Sequence, residues 1–519
     1  MLNTLTRALA AGLAAAVLAS SPSFAQTVVT ATLRADRPGA RIEPEVYGQF
    51  AEHLGRGIYE GVWVGEDSSI PNTHGYRNDV VAALKAIKVP LVRWPGGCFA
   101  DDYHWRDGIG PRAKRPVKVN VVWGGVEETN AFGTHEFMDF AELIGAKTYV
   151  NGNVGTGSPQ EMAEWIEYMV SPTRSSIAQM RRANGRDQPW KLDYFGVGNE
   201  NWGCGGGMTA AHYTDLYRNF AEFVRVPAGT KTVKIAGGPN VADYVWTETL
   251  MAGAAQRMDA LSLHYYVLPS GKWSNKLSAT EFDEKVWADT MVQALRMDEL
   301  ITKHSAIMDK YDPAKRVGLY VDEWGLWHAV EPGTNPGFLY QQNTLRDAVV
   351  AAATLNIFHK HAERVRLTAI AQMVNVLQAM ILTDKEKVIL TPTYWVYDLY
   401  QPFQGATQLP VEVTTPVYAV GGSSVPAVSA SAGRDAAGVV HVALVNLDPN
   451  KAARVAVTLS GVTGRTVSGR VLTAAAMNAF NTFDRPDAVK PAPFRGASIR
   501  DGMLNVDLPA KAVVVLAVR

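Results

Sequence analysis

Tyr194-Phe195-Gly196-Val197-Gly198-Asn199-Glu200-Asn201-Trp202 reads as a buried strand that ends in an acidic residue. Its apolar side chains sit among glycines, which let the backbone pack closely, and Asn and Glu enter where the apolar run stops. A second stretch has the same order: Val317-Gly318-Leu319-Tyr320-Val321-Asp322-Glu323-Trp324. A single Glu of this kind is more often a surface residue at a strand end. Two of them, each with a Trp nearby, point to two carboxylates in one pocket. Chemistry that needs two carboxyl groups across a bond is above all glycoside hydrolysis.

Outward from these two strands, a strand–loop–helix period runs through most of the chain. Strands are expected at Val46–Phe50, Pro90–Trp94, Lys147–Asn151, from Tyr194, Val233–Ala236, Ala260–His264, from Val317 and at Leu367–Ala371. Helical spacing is expected over Asn78–Lys88, His135–Gly145, Pro159–Val170, Ala210–Val224, Glu281–Lys310, Gln341–His361 and Thr393–Tyr400. Eight strands alternating with helices predict an α/β fold, a (β/α)8 TIM barrel, whose functional residues lie at the C-terminal ends of its strands. A doubly wound open sheet is the alternative, but no Gly-rich phosphate fingerprint follows the first strand. Past Gly405 come short alternating runs: Val411–Val413, Val439–Val445, Arg454–Leu459, Ser468–Leu472 and Val513–Val518. Gly, Pro, Ser and Asn separate them, as in a C-terminal antiparallel β-sandwich. The expected division is a leader at 1–25, a strand segment at 26–45 that joins the sandwich, a barrel at 46–405 and the sandwich at 406–519.

The 519 residues carry 50 Lys+Arg against 50 Asp+Glu, a balance that gives no reason to expect nucleic acid as partner. Arg7, the apolar run Ala8–Ala19 and Ser23-Phe24-Ala25 have the form of a secretory signal peptide. The expectation is an exported protein, periplasmic or extracellular, with no membrane segment after cleavage. The 11 His include no His-Glu-x-x-His, no cysteine pair has zinc-ligand spacing and no Gly-x-Ser-x-Gly elbow stands out, so no metal and no cofactor are expected.

The motifs together resemble glycoside hydrolase family 51, the α-L-arabinofuranosidases of the clan A barrel hydrolases. They are Gly48-Gln49-Phe50-Ala51-Glu52-His53-Leu54-Gly55-Arg56, Val92-Arg93-Trp94-Pro95-Gly96-Gly97, Gly198-Asn199-Glu200, Ser262-Leu263-His264-Tyr265-Tyr266, Asp322-Glu323-Trp324 and Gln372-Met373-Val374-Asn375-Val376. The resemblance implies a retaining, exo-acting enzyme that trims arabinose from plant polysaccharides or oligosaccharides, with Glu200 as general acid/base and Glu323 as nucleophile. It implies that Glu52, Asn199 and Gln372 contact sugar hydroxyls, that Arg93 holds the nucleophile ionised, and that Tyr266 donates to its carboxylate. For Glu52 a salt bridge to Arg56 or Arg93 is the plain alternative; for Trp123 and Trp327, candidate subsite walls, it is core packing. Cys98 stands where many relatives carry an Asn that bonds the sugar, and a thiol is a poor donor. The one other cysteine, Cys204, lies four residues after Glu200, and a disulfide or two free thiols are both open. Family members also form homo-oligomers, of which the chain itself gives no sign. A β-xyloside- or β-glucan-active enzyme on the same barrel, or a non-catalytic carbohydrate-binding protein, are the rival readings.

Overall fold

The computed structural model describes residues 27–519, so the expected leader at 1–25 lies outside the described residues. After strand β1 (Thr27–Arg34), eight parallel strands form a closed barrel: β2 (Gly48–Phe50), β3 (Leu91–Trp94), β4 (Lys147–Gly152), β5 (Tyr194–Val197), β6 (Val233–Ala236), β7 (Ala260–Val267), β8 (Gly318–Leu326) and β9 (Thr368–Ile370). Neighbours in sequence are neighbours in space, and β9 returns to β2 by pairing Ala369 with Gly48 and Ile370 with Gln49. The floor of the barrel is a layer of Leu91, Tyr149, Tyr194, Ile235, Ala260, Tyr320 and Leu367, one residue from nearly every strand. Apolar packing below leaves polar chemistry to the upper ends of the strands.

Nine helices are described: α1 (Asn78–Ala86), α2 (Thr134–Ile144), α3 (Pro159–Val170), α4 (Ser176–Ala183), α5 (Ala210–Glu222), α6 (Tyr244–Ala254), α7 (Glu284–Tyr311), α8 (Leu345–Lys360) and α9 (Pro392–Tyr400). Several start where a side chain caps them, which trims the expected spans. The expected helix from Gln341 begins at Leu345, because the Asp347 carboxylate accepts from the Thr344 backbone N–H and hydroxyl and fixes Thr344 outside the helix. At α7 the N-cap residue itself does the capping: the Asp283 carboxylate accepts from the Val286 N–H. Helix α1 stops at Ala86 rather than Lys88, which has a positive φ of 52°. The periodicity does not single out α4 or α6. In α6 the apolar Val245 is exposed while Trp246 and Leu250 are buried, which blurs its stripe.

The sandwich has strands β10 (Thr407–Leu409), β11 (Val411–Thr414), β12 (Val428–Arg434), β13 (Val440–Asn446), β14 (Ala453–Ser460), β15 (Val467–Leu472), β16 (Ala492–Phe494), β17 (Ala497–Arg500), β18 (Met503–Leu508) and β19 (Val513–Val518). One sheet has the order β11-β1-β14-β18-β17 and the other β10-β12-β13-β19-β15-β16. Strand β1 lies parallel to β14 and antiparallel to β11, so the start of the described chain is held within the sandwich. Helix α8 is buried from Leu345 to His359, as a helix flanked by protein on every side must be. It lies between barrel and sandwich, where Asn356 donates to the Ser429 hydroxyl and His359 bonds Ser431 at 2.7 Å. Among the described residues no helix is long and apolar enough to cross a membrane.

Candidate active site

The upper end of the barrel opens into a cavity of about 220 Å³ lined by Glu52, Cys98, Trp123, Glu200, His264, Tyr266, Glu323, Trp327 and Gln372, among others. Each arrives at or just past the end of a barrel strand, except Cys98 and Trp123, which come from the loops beyond. Glu323 is 7% exposed. Both of its oxygens are engaged: the Tyr266 hydroxyl donates to Oε1 at 2.7 Å and Arg93 donates to Oε2 at 3.0 Å. Arg93 is itself buried, donates also to Asn199 Oδ1 at 2.5 Å, and faces Asp322 at 3.8 Å. Burial opposes its charge, but Asp322, Tyr149 and Glu323 outweigh that cost and hold the guanidinium firmly protonated.

Glu200 reaches the cavity from a residue with φ of +43°, in the left-handed region. A non-glycine residue there costs about 1–2 kcal/mol, and the turn turns the carboxylate toward Glu323. His264 Nδ1 lies 2.8 Å from Glu200 Oε1 and 3.5 Å from Glu323 Oε2, while its Nε2 lies 3.3 Å from Asp322 Oδ1. Oxygens of Glu200 and Glu323 and a nitrogen of His264 all lie within 4.8 Å of one another. Burial opposes a charge on His264, but Glu323, Asp322 and Glu200 push its pKa up to about 10, which leaves an imidazolium among three carboxylates. Burial lifts the Glu200 carboxyl above the usual range; His264 pulls the other way, and Glu323 adds to the rise. Asp322 is held well below its ordinary value: burial works against this, and Arg93 and His264 prevail. It also accepts from the Tyr149 and Ser262 hydroxyls, both at 2.6 Å.

Glu52 forms no salt bridge with Arg56 or Arg93. Arg56 faces Glu60 instead. Glu52 Oε1 accepts from the backbone N–H groups of Gly97 and Phe99 and from Trp123 Nε1, and Oε2 accepts from Gln372 Nε2 at 3.1 Å. Burial, with Glu323 nearby, raises it to about 7 in spite of these donors. A Cβ on Gly97 would come within 3.1 Å of Glu323 Oε2, so any larger residue there would press on that carboxylate.

Cys98 and Cys204 form a disulfide, with Cα atoms 5.5 Å apart. The free-thiol option therefore falls, and with it the picture of Cys98 as a weak thiol donor. Strands β3 and β5 are not neighbours, but their loops lean together over β4. Asp101 draws them in: its carboxylate accepts from Val154 and Gly155 past β4 and from Asn199 past β5.

The structure brings together every residue singled out from the sequence, and it adds four. His264 and Asp322 stand inside the quoted motifs, where a charged residue in an otherwise apolar strand was the available signal. Trp202 and Trp273 also line the cavity; Trp202 closes the Tyr194–Trp202 stretch beside Glu200, whereas nothing in its sequence surroundings marks Trp273.

Residues 83–283 match the family model described as alpha-L-arabinofuranosidase 1 domain, and residues 322–512 the one described as alpha-L-arabinofuranosidase C-terminal domain. An intracellular exo-alpha-L-arabinofuranosidase of Bacteroides ovatus is 49% identical over 504 residues, 96% of this chain and 98% of the relative. The crystal structure of the GH51 arabinofuranosidase from Xanthomonas axonopodis pv. citri is 59% identical, with a TM-score of 0.94 over 95% of this chain and 100% of that one. The chain belongs to the α-L-arabinofuranosidases of glycoside hydrolase family 51. It is thus a glycoside hydrolase, and the rival readings, a xyloside- or glucan-active enzyme and a binding protein, are not favoured. An arabinose complex of the Thermotoga maritima α-L-arabinofuranosidase is also similar, at 29% identity and a TM-score of 0.82 over 95% of this chain and 99% of that one. One expectation is corrected. The Bacteroides ovatus relative is named intracellular, which points away from export. The export reading rested on Arg7, a short apolar run and the small-x-small triplet Ser23-Phe24-Ala25, a local pattern, whereas the likeness extends over nearly the whole chain.

Proposed function

We propose that the chain is a retaining, exo-acting α-L-arabinofuranosidase in which Glu200 is the general acid/base and Glu323 the nucleophile. The observation that carries this reading is the pair of carboxylates with oxygens within 4.8 Å, bridged by His264. That proximity suits direct attack, since retaining glycosidases hold their carboxyl groups about 5–5.5 Å apart and inverting ones about 6.5–9.5 Å. Glu323 attacks the anomeric carbon, and the departing glycosidic oxygen takes a proton from Glu200, whose carboxyl burial raises above its ordinary range. The glycosyl ester on Glu323 is then opened by water, whose proton passes to Glu200. Arg93 and Tyr266, one on each oxygen of Glu323, fix the attacking carboxylate in place.

Two buried polar atoms without a protein partner, Asn199 Nδ2 and Gln372 Oε1, support a sugar in this cavity. Buried polar groups are nearly always paired, and hydroxyls of a bound arabinofuranosyl ring supply what these two lack. A cavity of about 220 Å³ is small beside the roughly 300–1,000 Å³ of drug-sized sites, which suits one terminal sugar and hence exo action. The substrates in this reading are arabinose-containing plant polysaccharides or their oligosaccharides. The catalytic unit is residues 46–405, flanked by sandwich segments at 26–45 and 406–519. Initial rates on 4-nitrophenyl α-L-arabinofuranoside, β-D-xyloside, β-D-glucoside and α-L-arabinopyranoside test it. A dominant rate on the arabinofuranoside is expected; a dominant rate on any of the others would overturn the sugar assignment.

A further inference from the structure

The Cys98–Cys204 disulfide sits on the rim of the cavity, and Cys204 is exposed to solvent. Cys204 Sγ lies 3.6 Å from Glu200 Oε2. Both sulfurs and a Glu200 oxygen are within 4.8 Å of one another. Tetrahedral zinc binds sulfur at about 2.3 Å and carboxylate oxygen at about 2.0 Å, which sets an S···O edge of about 3.5 Å and an S···S edge of about 3.8 Å. The S···O edge from Cys204 is therefore already present, and Cys98 Sγ is within 4.8 Å of a Glu200 oxygen. The S···S edge requires the sulfurs to part by about 1.7 Å from their bonded distance, close to where two unbonded thiols come to rest. Cys204 is followed by Gly205, where a Cβ would meet Asn199 O at 1.9 Å, so the backbone there is closely packed and the sulfurs part by rotation of the exposed Cys204 side chain.

We propose that reduction of this disulfide creates an inhibitory site for a thiophilic divalent cation, with Cys98, Cys204 and Glu200 as ligands and the fourth position open to the cavity. The reductant is a low-molecular-weight thiol or phosphine. A phosphine and water convert the disulfide to two thiols and a phosphine oxide. Zn²⁺ then displaces two protons as both thiolates bind, with no change in its oxidation state. Glu200 joins as a carboxylate and, while bound, has no proton to give. The inhibition rests on the acid/base reading of Glu200; the binding does not.

The chain has only 2 cysteines, so any metal–thiolate signal from untagged protein reports this pair. The test is a titration of phosphine-reduced enzyme with Zn²⁺ against a chromogenic chelator, and with Co²⁺ for a thiolate-to-cobalt charge-transfer band. Oxidised enzyme, reduced enzyme alkylated with iodoacetamide, and Cys204→Ser serve as comparisons. The expected result is one zinc held per reduced chain, a charge-transfer band in that sample alone, and neither in the comparisons. Rate on the nitrophenyl arabinofuranoside should fall at least about a hundredfold, as masking the general base that activates water in the second step does, and return with a chelator. Equal zinc binding by reduced and alkylated enzyme, or by Cys204→Ser, would overturn the site. Zinc bound to the reduced chain at an unchanged rate would overturn the inhibitory role and the acid/base reading of Glu200, not the ligand set.

Discussion

His264 is the group that the sequence motifs contain but do not explain, and its replacement by Gln tests the whole arrangement. The substitution removes an imidazolium that lies 2.8 Å from Glu200, 3.3 Å from Asp322 and 3.5 Å from Glu323. Hydrogen bonds to charged groups contribute about 1.5–3 kcal/mol each, so the two closer contacts together are worth about 3–6 kcal/mol. The amide of Gln restores one neutral bond of about 1 kcal/mol, leaving a deficit of about 2–5 kcal/mol. At about 1.4 kcal/mol per decade, kcat/KM should fall roughly 30- to 3,000-fold. The pH profile carries the sharper test. His264 lowers the pKa of Glu200 against the rise from burial. Its removal lets that pKa climb further, so the basic limb of kcat/KM, where the acid loses its proton, moves to higher pH. Initial rates on an arabinose-containing oligosaccharide, whose leaving group needs the proton, across roughly pH 4–10 measure both quantities. A loss smaller than about threefold, or a basic limb that stays in place or moves down, would refute the reasoning.

Glu200→Gln should cost about 10²–10⁴ in kcat/KM on oligosaccharides, whose leaving groups need the proton, and azide should restore turnover of the nitrophenyl substrate as glycosyl azide; no rescue would argue against the acid/base role. Arg93→Met leaves Asp322 and Glu323 buried beside no guanidinium, a loss of about 3–5 kcal/mol of stability by analogy with broken buried pairs; urea unfolding with a change under about 1 kcal/mol would show that the ion pairs contribute little. Stability should itself follow His264. Its pKa in the folded protein is raised to about 10 from 6.5, so its contribution is complete below pH 6.5 and is lost as pH rises toward about 10. The denaturation midpoint should fall across that window, and the fall should shrink in His264→Gln.

The barrel was legible because each of its strands is a short apolar run with its own bounding signals. Tyr194–Val197 and residues 148–152 are buried on both faces, and such runs alternating with helical spacing admit few topologies. Helix starts were less legible, since Thr344 and Asp283 end the spacing pattern through cap bonds that periodicity does not register. At the site, the sequence by itself determined that Glu200 and Glu323 stand at strand ends, and the resemblance to family 51 implied Glu52, Arg93, Asn199, Tyr266 and Gln372 beside them. Only the tertiary structure decided how they are wired. It is there that His264 lies among three carboxylates, Asp101 gathers three loops, and Cys98 meets Cys204 across a sequence separation of 106. Strand ends follow from a local period of apolar residues. Contacts among loops depend on which of them lean together over the barrel mouth, a matter of long-range packing to which no local pattern in the chain is tied.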